Sequence, residues 1–269
     1  MICNKLIMTE DINFKPREII GNYEIISKIG KGSYGVIFSS KNLKTNEVEI
    51  LKILKKEKRF DYSNKNELDI LTKLNKSYTE NGSNKREFIP LILNNFSYCD
   101  HKIIVMKQYS LNLYEEFKNR HFTVNEIYKI TKNVLRGLNF LKMNKIIHGD
   151  LKPENILFYN NETFRTIICD FGLSIDLEKV SKNKNFNLQS MWYRAPEILF
   201  LIDYDYSIDI WSLGCIIFEL YFRKALFTSK TNINLFEKIF CFLGAPSVDF
   251  VNSDKNIKCH FDNNYKPKY

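Results

Sequence analysis

Between Asn22 and Lys56 short runs rich in Ile, Val, Phe and Tyr, punctuated by turn residues, give a strand-like pattern. YEIISKIG at 23–30 runs through a glycine turn into VIFSSKNL at 36–43, and a Thr-Asn turn joins that to EVEILKILKK at 47–56. The pattern predicts three short strands in an antiparallel meander. From Asn64 to Lys76 the spacing becomes helical, with Leu68, Leu71 and Leu74 on one face. Strand signals return at 88–96 and 102–106. Beyond Ser110 helical spacing takes over. Ile127, Ile130, Val134, Leu138 and Leu141 predict a helix over 124–144, and Ile208 to Tyr221 reads as a helix apolar on nearly all sides. A further helix, Asn232 to Leu243, is stopped by Gly244 and Pro246. Residues 1 to about 20 carry no periodic pattern and read as a lead-in segment. A β-rich first half followed by an α-rich second half predicts an α+β chain of two lobes, with the chemistry between them. No internal repeat or low-complexity tract interrupts it.

That chemistry is concentrated between Ile146 and Gly172. An apolar pair, Ile146 and Ile147, leads into a polar loop holding His148, Asp150, Lys152 and Asn155; a second apolar run, Ile167 to Cys169, delivers Asp170 ahead of Phe171 and Gly172. Two acids, an amide and a lysine on adjacent loops suit phosphoryl transfer. Asp150 accepts a proton from, and orients, an attacking hydroxyl. Asn155 and Asp170 offer hard oxygen ligands to Mg²⁺, and Lys152 neutralises charge on the phosphate in transit. The order Asp-x-Lys-x-x-Asn followed by Asp-Phe-Gly is the catalytic signature of eukaryotic protein kinases.

Three further positions acquire meaning from that signature. IGKGSYGVI at 29–37 fits G-x-G-x-x-G between two strands, which argues against a dinucleotide site and fits a phosphate lid of Gly30, Gly32 and Gly35. Around it, Ile29, Lys31, Ser33, Tyr34, Val36 and Ile37 complete the nucleotide-binding stretch. Lys52, alone an ordinary strand lysine, lies 22 residues after Gly30 and suits a grip on the ATP phosphates, with Glu67 on the next helix as its ion-pair partner. Asp69 is the rival carboxylate and points about 160° away when Glu67 and Leu71 face inward. His148 is expected to pack under Phe171 rather than titrate. Asp209, in apolar surroundings at the start of its helix, is expected to hold backbone amides and brace the catalytic loop.

From about Tyr23 to Pro246 the chain resembles the CMGC group of protein kinases and, within it, the dual-specificity tyrosine-regulated (DYRK) family. WYRAPEIL at 192–199 and SIDIWSLGCIIFELY at 207–221 carry the group resemblance; IGKGSYG, EKRF at 57–60, SLNLYE at 110–115 and IIHGDLKPENIL carry the family one. The resemblance implies a two-lobed protein kinase fold over 23–269, with a small lobe to about 106, a hinge at 107–110, a large lobe from 111, and a lead-in at 1–22. It implies ATP and Mg²⁺ as cofactors and a protein substrate accepting phosphate on serine or threonine, since Lys152 is the Ser/Thr-kinase choice. It also implies a leaning toward proline after the acceptor, with Arg194 shaping that pocket. Met106 falls at the gatekeeper position, and Ile37, Ile50 and Leu157 would sandwich adenine.

Four departures qualify this. Gly149 stands where most kinases have arginine, and Asn187 stands where the family autophosphorylates a tyrosine, so tyrosine autoactivation is not carried over. Ile50 replaces a small residue facing adenine, which narrows the pocket. After Pro246 the polar tail VDFVNSDKNIKCHFDNNYKPKY is not expected to replace the final helices of the large lobe. No arginine follows Arg223 to pair with Glu197, which would leave that carboxylate unpaired if buried, at about 1–3 kcal/mol. A kinase-fold scaffold without activity, or a partner that completes the lobe, follows as the alternative.

Totals exclude little more. The 269 residues carry 44% hydrophobic and 26% charged side chains, the balance of an ordinary globular protein. The net charge of +9 reads as lysines spread along a solvated surface, and no clustered basic face with aromatics is evident, so nucleic acid is not an expected partner. Six cysteines without CxxC or framework spacing point to reduced thiols and a cytoplasmic or nuclear setting. No apolar run approaches the roughly 20 residues of a membrane span.

Overall fold

The computed structural model describes residues 12–32, 35–56, 61–80, 88–160, 163–179, 187–244 and 246–262. The chain divides into two compact units, Met1–Ser110 and Leu111–Tyr269.

The first unit is a six-stranded antiparallel sheet and one helix. Its strands are β1 (Ile19–Ile20), β2 (Tyr23–Lys31), β3 (Gly35–Asn42), β4 (Val48–Leu54), β5 (Ile92–Tyr98) and β6 (His101–Lys107), in the spatial order β1-β2-β3-β4-β6-β5. Register places Ile37 across from Lys52, and Lys52 across from Ile104. Alternation then divides the sheet into two faces. On one, Val36, Phe38, Leu51, Ile53, Ile103 and Val105 form a core with Ile12, Ile20, Tyr23 and Ile25, against which Phe14 packs. The expected lead-in is therefore structural from Ile12 onward. Ile19 and Ile20 add a strand to β2, too short to register as a periodic pattern.

The helix α1 (Asp61–Glu80) buries Asn64, Glu67, Ile70, Leu71 and Leu74. Leu68, expected on the same face as Leu71 and Leu74, is only half-buried, whereas Ile70, on the other flank of the buried row Asn64, Glu67, Leu71 and Leu74, is fully buried, so packing covers that flank of the helix. Asn75 ties this helix to the chain entering β5, donating to the Pro90 carbonyl and accepting from the Ile92 amide. Hence the strand expected from residue 88 starts at Ile92.

The second unit is mainly helical. The helices α2 (Leu113–Asn119) and α3 (Val124–Met143) each open with a capping box, Asn112 with Glu115 and Thr123 with Glu126, which satisfies the first amides of each. The apolar stripe read from the sequence of α3 is buried: Ile127, Ile130, Val134, Leu138 and Leu141. Two short ribbons follow, β7 (Ile146–Ile147) with β10 (Ile175–Asp176), and β8 (Ile156–Asn160) with β9 (Thr163–Ile168). They hold between them the loops that carry the catalytic signature.

After α4 (Pro196–Phe200), the helix α5 (Ser207–Phe222) buries Ile208, Leu213, Cys215, Ile216 and Leu220 but exposes Ile210, Tyr221 and Phe222. It is thus not buried all round. Three polar residues on its inner side, Asp209, Ser212 and Glu219, are buried as well; Glu219 accepts a hydrogen bond of 2.7 Å from the Tyr193 hydroxyl.

The polar tail beyond α6 (Asn232–Leu243) departs most from expectation. It forms α7 (Val248–Ser253), capped by Ser247, and α8 (Lys255–Lys258), capped by Asp254. From these Val251 and Ile257, with Phe261 just beyond, pack with Phe200 and Phe236 in one apolar cluster. Three apolar residues at the right spacing suffice to cover that face, which a count of polar residues conceals. Glu197 is only partly buried and accepts a hydrogen bond from Ser207 Oγ at 3.3 Å, so the cost of a buried, unpaired carboxylate does not arise. Among the described residues no helix is long and apolar enough to cross a membrane.

Candidate active site

In the first unit the sequence-predicted residues gather on the sheet face that bears Lys52. Lys52 Nζ lies 2.5 Å from Glu67 Oε1, and both side chains are almost wholly buried. Desolvation makes each charge costly alone, so each depends on the other. Ile50 precedes Lys52 by two residues on the same face, with Met106 directly across from it on β6 and Ile37 across from Lys52 on β3. Val36 is a correction: alternation sends it to the opposite face, into the core with Phe38, so it is not available to a nucleotide. Ile29 and Lys31 are both exposed on β2, and Ser33 and Tyr34 lie outside the described residues.

The three glycines of the lid serve different needs. A Cβ added at Gly35 would come within 2.6 Å of the Ile53 carbonyl oxygen, so the fold itself demands glycine there. At Gly30 an added Cβ meets nothing within 4 Å, and at Gly32 only a carbonyl at 3.8 Å. Among the described residues nothing fills the space over these two, and phosphate oxygens approaching the backbone amides fit it.

The second unit assembles the catalytic loop around Asp150. One carboxylate oxygen, Oδ1, accepts from the Ser190 amide at 2.8 Å and from Ser190 Oγ at 2.7 Å; Oδ2 accepts from Lys152 Nζ at 2.8 Å and, more loosely, from Asn155 Nδ2 at 3.4 Å. Lys152 also donates to Ser190 Oγ at 3.0 Å. Desolvation, the largest single influence on Lys152, lowers its pKa, but Asp150, helped by Glu154 and Asp170, more than offsets it and holds the ammonium above its ordinary value. Asn155 donates to the Asp150 carbonyl at 2.8 Å, which leaves its side-chain oxygen as the end for a cation. Asp170, at φ +67°, is half-buried beside the fully buried Phe171. An amide oxygen and a carboxylate are too few to cage a metal alone, and no cluster of three or more such ligands exists among the described residues. They fit a magnesium ion that would share its remaining positions between water and phosphates.

Beneath the loop, buried Asp209 accepts the amides of His148 at 2.8 Å and Gly149 at 3.0 Å. Burial pushes its carboxyl pKa up, against the pull of those amides and of His148. His148 accepts the Asp150 amide at Nδ1 (3.3 Å), which assigns the proton to Nε2, facing the Cys169 carbonyl at 3.0 Å. Its ring stands edge-on to Phe171, centroids 5.3 Å apart. The imidazole is a joint between the two loops. Gly149, conspicuous in the sequence as a missing arginine, has a structural cause: its φ is +74°, and a Cβ would sit 2.9 Å from the Leu173 carbonyl oxygen.

Sequence reasoning missed the segment that braces this loop. Gln189, left-handed at φ +60°, donates through Nε2 to Ile208 O and Ser212 Oγ, accepts from the Ala195 amide, and donates its own amide to Gly149 O at 2.7 Å. Arg194 donates to the carbonyls of Leu188 and Gln189 and to Asn232 Oδ1. Burial lowers its pKa, and Asp150 opposes that. The signal was present in the Gln-Ser pair ahead of WYRAPE, where an amide followed by a hydroxyl in an apolar stretch asks for buried partners. Leu157, on β8, belongs to this second unit, its backbone bridged to Asn112.

A protein kinase domain model matches residues 23–258. The chain belongs to the protein kinase family. Among curated proteins it is 35% identical over 250 residues to the dual specificity tyrosine-phosphorylation-regulated kinase 4 of Homo sapiens, covering 91% of this chain and 46% of that one. It is 34% identical to the probable serine/threonine-protein kinase dyrk2 of Dictyostelium discoideum, over 91% of this chain and 26% of that one. It is 33% identical to the serine/threonine-protein kinase prpf4B of the same organism, over 93% and 31%. The kinase chain thus spans less than half the length of these relatives, and its likeness to them is DYRK-like throughout.

Proposed function

We propose that this kinase transfers the γ-phosphate of Mg·ATP to a serine or threonine hydroxyl of a protein. The observation that carries the reading is Asp150, whose two carboxylate oxygens are held by Ser190 on one side and Lys152 on the other. A carboxylate fixed this way orients an incoming hydroxyl and takes its proton as the bond to phosphorus forms. Lys152, held charged, stabilises the negative oxygens of the group in transit. Lys52, kept in place by Glu67, grips the nucleotide phosphates, and the amides near Gly30 and Gly32 close over them. Asn155 and Asp170 would hold Mg²⁺, which when bound screens the charge between the phosphates. Ile37, Ile50 and Met106 offer apolar surface to adenine.

Arg194 supports a preference for proline after the acceptor. It occupies the carbonyls of Leu188 and Gln189, so a substrate backbone N–H arriving there finds no acceptor. Proline has no N–H to leave unsatisfied.

The test is radiolabelled transfer from Mg·ATP to a generic basic protein and to peptides differing only in proline or alanine after the acceptor. The wild type is expected to label serine or threonine, preferring proline, and Asp150→Asn to lose the label. Equal silence of wild type and mutant, without thermal stabilisation by Mg·ATP, would establish a scaffold instead.

A further inference from the structure

The stretch from Lys118 to Lys145 carries seven basic residues and one acidic one, a net +6 within a chain of net +9. The excess is not scattered as the sequence alone implied, for most of it sits on or beside the solvent face of α3. Arg120 engages the nearby carboxylates, Glu116 and Glu126, and Lys142 lies over the Tyr206 ring beside Asp205. Lys129, Lys132 and Arg136 remain. At i, i+3 and i+7 they form a ridge on one side of the helix; all three are exposed, and none has an acidic partner among the described residues.

Nothing in the fold calls for that ridge. Lys129 and Lys132 lie only over the Phe164 and Tyr128 rings, and like charges four residues apart, as in Lys132 and Arg136, destabilise a helix. A merely solvated face would be expected to interleave acids. Here the neighbouring exposed positions carry no charge: Asn125 and Asn139 lie on the same arc, and Tyr128 and Leu135, 60% and 43% exposed, flank it. From Lys129 to Arg136 the helix advances ~10 Å, the reach of about three residues of extended peptide.

We propose that this face of α3 docks an extended acidic segment of a protein partner, with carboxylates about three residues apart on the ridge and an apolar side chain against Leu135 and Tyr128. Single-stranded nucleic acid fits less well. Its bases need open aromatic faces, and the Tyr128 ring is overlain by Lys132. The proposal does not depend on catalytic activity.

Fluorescence anisotropy on the whole chain tests it. The probes are a labelled twelve-residue peptide with Asp or Glu at every third position and Leu, Phe or Ser between them, the same peptide with Asn and Gln for the acids, and a twenty-nucleotide oligothymidine. The acidic peptide should bind, weaken as salt rises, and lose at least tenfold in affinity in Lys129→Glu/Lys132→Glu/Arg136→Glu. The Gln triple, which adds no new charge, guards against misfolding and should weaken binding in the same direction. Leu135→Asn should weaken it with the cations intact. Equal binding by wild type and both triples, no binding of the acidic peptide, or binding of oligothymidine in its place would overturn the proposal.

Discussion

Replacing Asp209 tests whether the catalytic loop is held from below. Its two carboxylate oxygens accept the amides of His148 and Gly149, and the side chain is only 3% exposed. Hydrogen bonds to a charged group contribute about 1.5–3 kcal/mol each. Two would give about 3–6 kcal/mol, but burial raises the Asp209 pKa, so part of that is offset by desolvation of the carboxylate. The lower end, about 3 kcal/mol, is the expectation for Asp209→Ala. Asp209→Asn keeps one acceptor and turns an N–H toward an N–H, for about 2 kcal/mol. For a domain of 150–250 residues each kcal/mol shifts the melting temperature by about 2–4 °C. Alanine should therefore cost about 6–12 °C and asparagine about 4–8 °C. Thermal unfolding followed by circular dichroism reads the shift. Hydrogen exchange should show the His148 and Gly149 amides losing protection in both variants. An asparagine variant that melts within about 1 °C of wild type, with both amides still protected, refutes the argument.

Lys52→Met should lose about 3–5 kcal/mol in urea unfolding because it strands a buried carboxylate, whereas Lys52→Met/Glu67→Leu should recover most of it and still transfer no phosphate. A stable single mutant would show the pair is not closed. The buried His101 bonds the Leu54 carbonyl through Nδ1 at 2.8 Å, and burial lowers its pKa below 6.5, against the opposing pull of that carbonyl. The native state then binds fewer protons than the unfolded one. Its contribution is complete above about pH 6.5 and is lost as pH falls through the lower folded value. Unfolding free energy measured from about pH 7 to 5 should decline in wild type and stay flatter in His101→Asn; parallel curves would remove His101 from the account.

What could be read from the sequence was what is local. Asp150, Lys152 and Asn155 lie within six residues, and their spacing alone assigns complementary chemistry to them. The stripe of α3 follows from periodicity within one element, and the pairing of Lys52 with Glu67, fifteen residues apart on β4 and α1, from the spacing of the kinase pattern. What escaped depends on distant residues. Ser190 reaches Asp150 across forty positions, and Gln189 is fixed by α5, so no window of sequence contains both ends. The tail escaped for another reason. Val251, Ile257 and Phe261 are sparse among polar neighbours, and their value depends on Phe200 and Phe236 presenting a surface to cover. Val36 and Leu68 were misplaced by a single step of strand or helix phase, which packing decides and pattern does not.

The unequal glycines of the lid carry a historical consequence. Gly35 is enforced by the chain's own backbone, so selection for a folded protein preserves it whatever the protein is used for. Gly30 and Gly32 are under no such compulsion, and only a guest over the backbone would penalise a side chain there. A lineage that abandoned nucleotide binding would be free to lose these two first while Gly35 persisted. Glycine at these two positions answers to what the backbone there must admit, and not to folding.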